Sequence, residues 1–213
     1  MQPKYQVFVS STFEDLRTER DQIIKATLEM GHIPVGMEMF SAADEEQWKV
    51  IARTIDQSDY YVVIVAHRYG SLVGKISYTE REYDYAIQQG VPVIGFVLDE
   101  NAVWPPRYIE DSGAMRSALQ AFKAKIRKKP VGFWTSAEDL HGRFSIALMK
   151  LIVTNPRPGW VRSRNVLPLP VLADVGRLSS ENVNLRSRLE LLESGTESED
   201  PAGVAENNPI AGS

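Results

Sequence analysis

The chain of 213 residues contains no cysteine and only three histidines. The absence of cysteine excludes disulfides, thiolate nucleophiles and cysteine-ligated metal sites. The histidines, His32, His67 and His141, lie in separate segments without the spacing of a helical metal site, so we expect no metal. The sequence also begins without a basic and apolar leader and has no apolar run of membrane-spanning length. These absences predict a cytoplasmic protein without a membrane partner.

The chain also has no excess of positive charge, because its 24 lysines and arginines are outnumbered by 28 acidic residues, which gives a net charge of −4. This balance argues against nucleic acid or an anionic membrane as the main partner. One basic run is predicted to be a solvated helix face. It comprises Lys123, Lys125, Arg127, Lys128 and Lys129. Phosphate-binding P-loops, dinucleotide-binding glycine motifs and serine-nucleophile elbows are absent from the sequence.

What the sequence does contain is an alternation of strand-like and helical segments. Strands are predicted over 5–9, 33–37, 60–66, 91–98 and 131–134, and helices between Leu16 and Leu28 and over 44–58, 78–89, 115–128 and 138–153. The continuous apolar run at 60–66 is typical of a strand covered on both faces, whereas Pro34 favours an edge strand. The pattern predicts an α/β fold: a flavodoxin-like three-layer sandwich with a mostly parallel five-stranded sheet over residues 1–162.

The C-terminal part differs in composition. Residues 163–193 are predicted to form a linker and a short heptad helix, and the polar residues 194–213 are predicted to be disordered. Six side chains follow heptad spacing: Val175, Leu178, Asn182, Leu185, Leu189 and Leu192. An asparagine at an a position favours a dimeric register. A coiled coil that makes a homo-oligomer and a solvated single helix both fit this short pattern.

Three loops follow predicted strands, where open α/β sheets bind ligands. The hydroxyls of Ser10, Ser11 and Thr12 either hold phosphate or cap the following helix. Glu38 is either a ligand of ribose or an amine, or a surface acid. Arg68 is either a phosphate ligand or a member of a surface salt bridge.

The third loop leads into a helix with two acids of different expected roles. Starting the helix near Tyr78 places Glu82, Tyr85 and Ala86 with it on one buried face. Glu80 then lies on the opposite face and completes a capping box with Ser77, although Thr79 and Glu82 could form the same box. An inward carboxylate under strand ends can stabilise an oxocarbenium-like centre or act as a nucleophile. Cleavage of an N-glycosidic bond with a neutral leaving group, such as nicotinamide from NAD, is chemistry of this kind.

Several motifs between residues 4 and 162 resemble the family known as domain of unknown function 4062. They are Phe8-Val9-Ser10-Ser11-Thr12-Phe13-Glu14-Asp15-Leu16 with Glu19-Arg20, Pro34-Val35-Gly36-Met37-Glu38-Met39-Phe40, Ile55-Asp56 with Ser58-Asp59-Tyr60-Tyr61, Arg68-Tyr69-Gly70-Ser71, Ser77-Tyr78-Thr79-Glu80 with Glu82-Tyr83 and Tyr85-Ala86, and Gly159-Trp160-Val161-Arg162. That family is regarded as similar to TIR (Toll/interleukin-1 receptor) domains and, more distantly, to nucleoside deoxyribosyltransferases. Its members occur in larger signalling or defence-type proteins.

The resemblance implies a TIR-like effector or signalling domain that binds a nucleotide, for example in bacterial defence. Many TIR domains place a catalytic Glu four residues after an aromatic residue and four before an Ala, as Tyr78, Glu82 and Ala86 are spaced here, with Tyr in place of the usual Trp. The resemblance therefore implies Glu82 as the catalytic residue and NAD as a substrate rather than a cofactor. The implied substrate-binding residues are Ser10, Ser11, Thr12, Glu38, Arg68, Tyr69, Gly70, Ser71 and Tyr78. A non-catalytic interaction domain and a nucleoside or nucleotide N-glycosidase remain the alternatives.

Overall fold

The computed structural model describes residues 3–36, 44–162 and 169–196. The chain divides into two compact units, Met1–Val161 and Arg162–Ser213. The first unit contains seven described strands: β1 (Gln6–Ser11), β2 (Ile33–Gly36), β3 (Tyr60–Val65), β4 (Leu72–Val73), β5 (Ile76–Ser77), β6 (Val93–Leu98) and β7 (Val131–Trp134). Its described α-helices are α1 (Arg17–Glu29), α2 (Asp44–Asp56), α3 (Tyr78–Gln88), α4 (Gly113–Ile126) and α5 (Ala137–Thr154).

Five strands form one sheet in the order β2-β1-β3-β6-β7, and every pairing in it is parallel. This is the flavodoxin-like strand order. Strand β3 lies at the centre and its six residues are all buried, as its continuous apolar sequence predicts. Strand β2 lies at the edge of the sheet and pairs with β1. This position tolerates Pro34, which has no backbone N–H to donate to a strand on a second side. The predicted fold class is confirmed.

The two faces of the sheet pack against different helices, because side chains alternate along each strand. From β3, Tyr60, Val62 and Ile64 join a core with α1 and α5. The side chains of Tyr61, Val63 and Val65 join a second core with α2, α3 and α4. Burial of each such aliphatic side chain contributes about 1.5–3 kcal/mol before entropy is counted. The result is the predicted three-layer arrangement.

Two short features differ from the predicted loops. Strands β4 and β5 form a small antiparallel hairpin within the segment that was expected to be a glycine-broken loop. Gly74, with a φ of 66°, lies in its turn, in the left-handed conformation that glycine adopts most readily. A 3₁₀ turn, Pro106–Tyr108, lies between β6 and α4, where the sequence predicts neither a strand nor a helix.

The prediction of a solvated basic face on α4 is wrong for two of its lysines. Lys123 is only 4% exposed, and burial lowers the pKa of its ammonium group. The Lys125 ammonium group donates to Glu80 and, at 2.9 Å, to Asp84. Helix α4 therefore uses these lysines to pack against the domain, with their aliphatic stems buried.

The second unit contains one long helix, α6 (Leu169–Thr196). Four of the predicted heptad side chains, Val175, Leu178, Leu185 and Leu189, are each 54–58% exposed. Asn182 accepts a hydrogen bond of 3.1 Å from Arg186. Helix α6 extends past position 194, where the sequence predicted disorder to begin, whereas 163–168 and 197–213 lie outside the described residues. Within the parts of the chain that the structure describes, no helix combines the length and apolarity needed to cross a membrane.

Candidate functional site

A cavity of about 570 Å³ opens at the carboxyl ends of β1 and β3, beside the start of α3. This is the edge at which parallel α/β sheets bind ligands. The walls come from the loops after β1 and β3, from α1 to α4, and from the segment before α4. The lining residues are Ser11, Thr12, Phe13, Glu14, Asp15, Arg20, Gln47, Arg68, Gly70, Ser71, Tyr78, Thr79, Glu110 and Met115.

The hydroxyl groups of Ser10, Ser11 and Thr12, at the end of β1, do not cap α1, which corrects one of the two alternatives for them. The N-cap of α1 is Leu16, and no side chain caps it. Instead Ser10 donates to Glu82, whereas Ser11 donates to the Thr12 carbonyl at 2.8 Å and accepts from Arg20 at 2.9 Å. Ser11 and Thr12 therefore line the cavity, whereas Ser10 is fully buried behind it.

Glu82 is a buried carboxylate on α3, one turn after the cavity residues Tyr78 and Thr79. Ser77 is the N-cap of α3 and accepts from the Glu80 amide at 3.2 Å, so Glu82 is not a capping residue. Glu82 is 2% exposed and accepts the Ser10 hydroxyl at 2.5 Å. Burial, together with the negative charge of Glu82, raises the pKa of the nearby Tyr61 phenol. The structure thus brings Ser10 and Glu82 together, but neither side chain is part of the cavity wall.

Glu80 does not lie on an exposed face, contrary to the sequence prediction. Its residue is 7% exposed, because α4 covers that side of α3. The Tyr69 hydroxyl and the Lys125 ammonium group both donate to its carboxylate. Burial and the hydrogen bond to Glu80 raise the pKa of the Tyr69 phenol. The Tyr69 side chain is therefore anchored beneath the loop, whereas its neighbours Gly70 and Ser71 line the cavity.

Gly70 allows the two cavity loops to approach each other closely. Its φ is +90°, and a Cβ at this position would lie 2.8 Å from Cγ2 of Thr12. Any other side chain would thus meet both backbone strain and a steric clash. The sequence signal for this contact was the Arg68-Tyr69-Gly70-Ser71 motif.

Arg68 makes the salt bridge that was one of its two alternatives, and phosphate binding stays a prediction. It lines the cavity, and its Nη1 lies 2.7 Å from Oε2 of Glu14. The side chains of Arg68 and Glu14 are 36% and 69% exposed. Because ion pairs of this exposure contribute at most about 1 kcal/mol, an anionic ligand could replace Glu14 at little cost.

Asp15 is a cavity residue that the sequence reasoning missed. It is 5% exposed, and neither carboxylate oxygen has a hydrogen-bond partner of good geometry among the described residues. Burial raises its pKa, and the nearby Thr12 hydroxyl and Arg68 guanidinium offset this only in part. The Thr12 hydroxyl oxygen is also buried without such a partner in the described part of the chain. An acid at the start of a helix is common, so only the fold shows that this one is buried and unpaired.

Two predicted substrate-binding residues remain, Tyr78 and Glu38. Tyr78 is half-buried and lies in the cavity wall. Glu38 lies outside the described residues. Over 3–36, 44–162 and 169–196, no cluster of three or more His, Asp or Glu side chains could hold a metal ion.

Known structures with a similar arrangement include several α/β domains of low sequence identity. The TIR domains of the activated Roq1 resistosome, which recognises the pathogen effector XopQ, share 16% identity at a TM-score of 0.48; the match covers 70% of this chain and 99% of that one. The Clostridium botulinum CMP N-glycosidase BcmB shares 13% identity at 0.43, covering 67% of this chain and 98% of that one. A prokaryotic SEFIR domain shares 17% identity at a TM-score of 0.44, and the match covers 75% of this chain and 99% of that one. These likenesses concern the fold.

No curated protein matches the chain in sequence. One family model does match, the domain of unknown function DUF4062, and it covers residues 6–149. This span includes the five-stranded sheet and every residue of the cavity wall. The chain therefore belongs to the DUF4062 family.

Proposed function

We propose that this protein is a TIR-like nucleotide-binding domain that hydrolyses NAD at the bond between nicotinamide and ribose. The observation that carries the proposal is the position of Glu82. A buried carboxylate lies on α3 one turn after the cavity residues Tyr78 and Thr79, hydrogen-bonded to the last buried hydroxyl of β1. The Tyr78, Glu82 and Ala86 spacing supports the same residue.

In the proposed reaction the bond between C1′ of the ribose and the nicotinamide nitrogen breaks, and its electron pair leaves with nicotinamide. The positive charge that develops at C1′ is stabilised by the negative charge of Glu82. A water oxygen then bonds to C1′ and its proton is released. Because the leaving group is neutral, no second carboxylic acid is required.

Access is the condition that this reaction must meet. Glu82 is 2% exposed and accepts from Ser10, so the side chains that bury Glu82 have to move before a substrate can contact it. We propose that assembly of several copies through the heptad face of α6 favours this rearrangement. This face would also provide the predicted homo-oligomer.

The test is to incubate the full chain at high concentration with NAD and to quantify nicotinamide. Glu82→Gln should lower release at least about 100-fold, because it removes the charge that stabilises the transition state. Asp84→Asn is the matched control, since this acid lies on the same helix with its side chain 46% exposed. Equal release from wild type and Glu82→Gln would exclude Glu82 as the catalytic residue.

A non-catalytic interaction domain is the second candidate, and the burial of Glu82 favours it. In that case the Ser10–Glu82 hydrogen bond simply joins α3 to β1. This candidate predicts no nicotinamide release at any concentration, with or without Glu82→Gln. It also predicts that changes on the heptad face abolish assembly and signalling alike.

A further inference from the structure

We infer that Asp15 and Thr12 form a subsite that binds the vicinal hydroxyl groups of a ligand's ribose, opposite the guanidinium group of Arg68. The inference rests on the proposed nucleotide-binding function and assigns a part of the cavity that Glu82 does not reach.

Three buried oxygen atoms of Asp15 and Thr12 make no hydrogen bond of good geometry among the described residues. The Thr12 hydroxyl and the Asp15 backbone amide lie near the carboxylate and lower its pKa, but they offset the effect of burial only in part. Leaving a buried polar group unsatisfied costs about 1–3 kcal/mol, and more for a charged one. Such groups are rare in native proteins and call for an explanation, and a functional role in binding is one.

A structural role does not account for Asp15. The residue precedes α1, but the N-cap is Leu16 and no side chain caps this helix. The guanidinium group of Arg68, which favours the charged form of Asp15 through space, makes its ion pair with Glu14 instead. Asp15 thus remains a cavity-lining carboxylate that makes no hydrogen bond of good geometry among the described residues, although Thr12 and its own backbone amide lie close to it.

The chemistry of the two residues indicates the ligand group. A carboxylate offers two acceptor oxygens side by side, which matches two adjacent hydroxyl donors, and a threonine hydroxyl can accept or donate beside it. Acidic side chains at this edge of α/β sheets are suited to ribose hydroxyls. Arg68, on the loop after β3, can hold a phosphate in the same cavity through its fork of donors.

The experiment compares AMP with 2′,3′-dideoxy-AMP by titration calorimetry on the full chain. For wild type we expect AMP to bind at least about tenfold more tightly than the dideoxy analogue, which corresponds to the loss of about one good hydrogen bond. Asp15→Asn and Thr12→Val should each weaken AMP binding and leave the affinity for dideoxy-AMP unchanged. Asp21→Asn, an exposed acid on α1, is the control that should change neither.

Thermal unfolding without ligand provides a second readout. Removing a buried charge without partners should raise the unfolding temperature of Asp15→Asn by about 2–4 °C. A lower unfolding temperature would assign Asp15 a structural role and overturn the subsite. Undiminished AMP binding in Asp15→Asn would overturn the subsite alone. Failure of the wild type to bind either nucleotide would overturn the nucleotide-binding proposal and the subsite together.

Discussion

The hydrogen bond between Ser10 and Glu82 joins the end of β1 to α3, and its free energy can be measured directly. The residues are 0% and 2% exposed, and the hydroxyl oxygen lies 2.5 Å from the carboxylate. Ser10→Ala removes the donor and leaves the carboxylate buried. Glu82→Gln keeps the shape of the side chain and removes its charge.

The expected magnitude follows from burial and charge. A hydrogen bond to a charged group contributes about 1.5–3 kcal/mol, and its loss leaves the burial of that charge less well compensated. We therefore expect Ser10→Ala to lower the free energy of unfolding by about 2 kcal/mol. At this chain length such a loss lowers the unfolding temperature by about 4–8 °C. Once Glu82 is already Gln, Ser10→Ala should cost only about half as much, because a neutral hydrogen bond contributes about 1 kcal/mol.

The assay is a double-mutant cycle from urea unfolding of wild type, the two single variants and the double variant. We expect a coupling free energy of about 1 kcal/mol between the two positions. A matched pair outside the contact, Ser10→Ala with Asp84→Asn, should be additive within about 0.5 kcal/mol. Additivity of Ser10→Ala and Glu82→Gln within the same range would refute the view that this hydrogen bond keeps Glu82 closed behind the cavity.

The other expected outcomes concern the cavity loops, the buried acids and α6. Gly70→Ala should lower stability by about 1–3 kcal/mol in urea unfolding, because it combines a φ of +90° with a clash against Thr12. Burial raises the pKa of both Asp15 and Glu19, so the native state binds these two protons more tightly than the unfolded state does. The free energy of unfolding therefore falls as pH rises above about 4 and the two groups lose their protons. The stability advantage of an Asp15→Asn, Glu19→Gln variant over wild type should therefore grow from about pH 4 to about pH 7. Leu185→Asp on the exposed heptad face should abolish any concentration-dependent assembly seen by analytical ultracentrifugation, without changing the unfolding of the α/β domain.

The fold could be predicted because its strongest signals are local. The run Tyr60–Val65 is apolar at every position, and only a strand covered on both faces requires that. Pro34 indicated the edge, and Gly90, with a φ of 68°, marked the end of α3. The β4–β5 hairpin was missed because strands of two residues are too short to show any periodicity.

The site was harder to predict because its features depend on contacts between distant segments. Helical phase placed Glu82 on an inward face, but its partner Ser10 lies 72 residues earlier in the chain. Glu80 was expected to be exposed because nothing within α3 indicates that α4 covers it with Lys125. The hydroxyls at the end of β1 were ambiguous because a capping residue is recognised by where its helix begins. Helix α1 begins at Arg17 with Leu16 as its N-cap, beyond the reach of Ser10, Ser11 and Thr12 as caps.

The burial of Glu82 and the burial of Asp15 are compensated by hydrogen bonds to different extents. Glu82 is behind the wall and holds a charged hydrogen bond, so its burial is compensated in the free domain. Asp15 is in the wall without a hydrogen bond of good geometry among the described residues, so its burial is compensated only in part until a ligand supplies donors. Binding at Asp15 can therefore precede any exposure of Glu82. A ligand that is held there, with its phosphate at Arg68, could remain bound while Ser10 releases Glu82. If binding at Asp15 comes first, the two substitutions should change different kinetic parameters. Asp15→Asn should raise KM for NAD, whereas Glu82→Gln should lower kcat and leave NAD binding nearly unchanged.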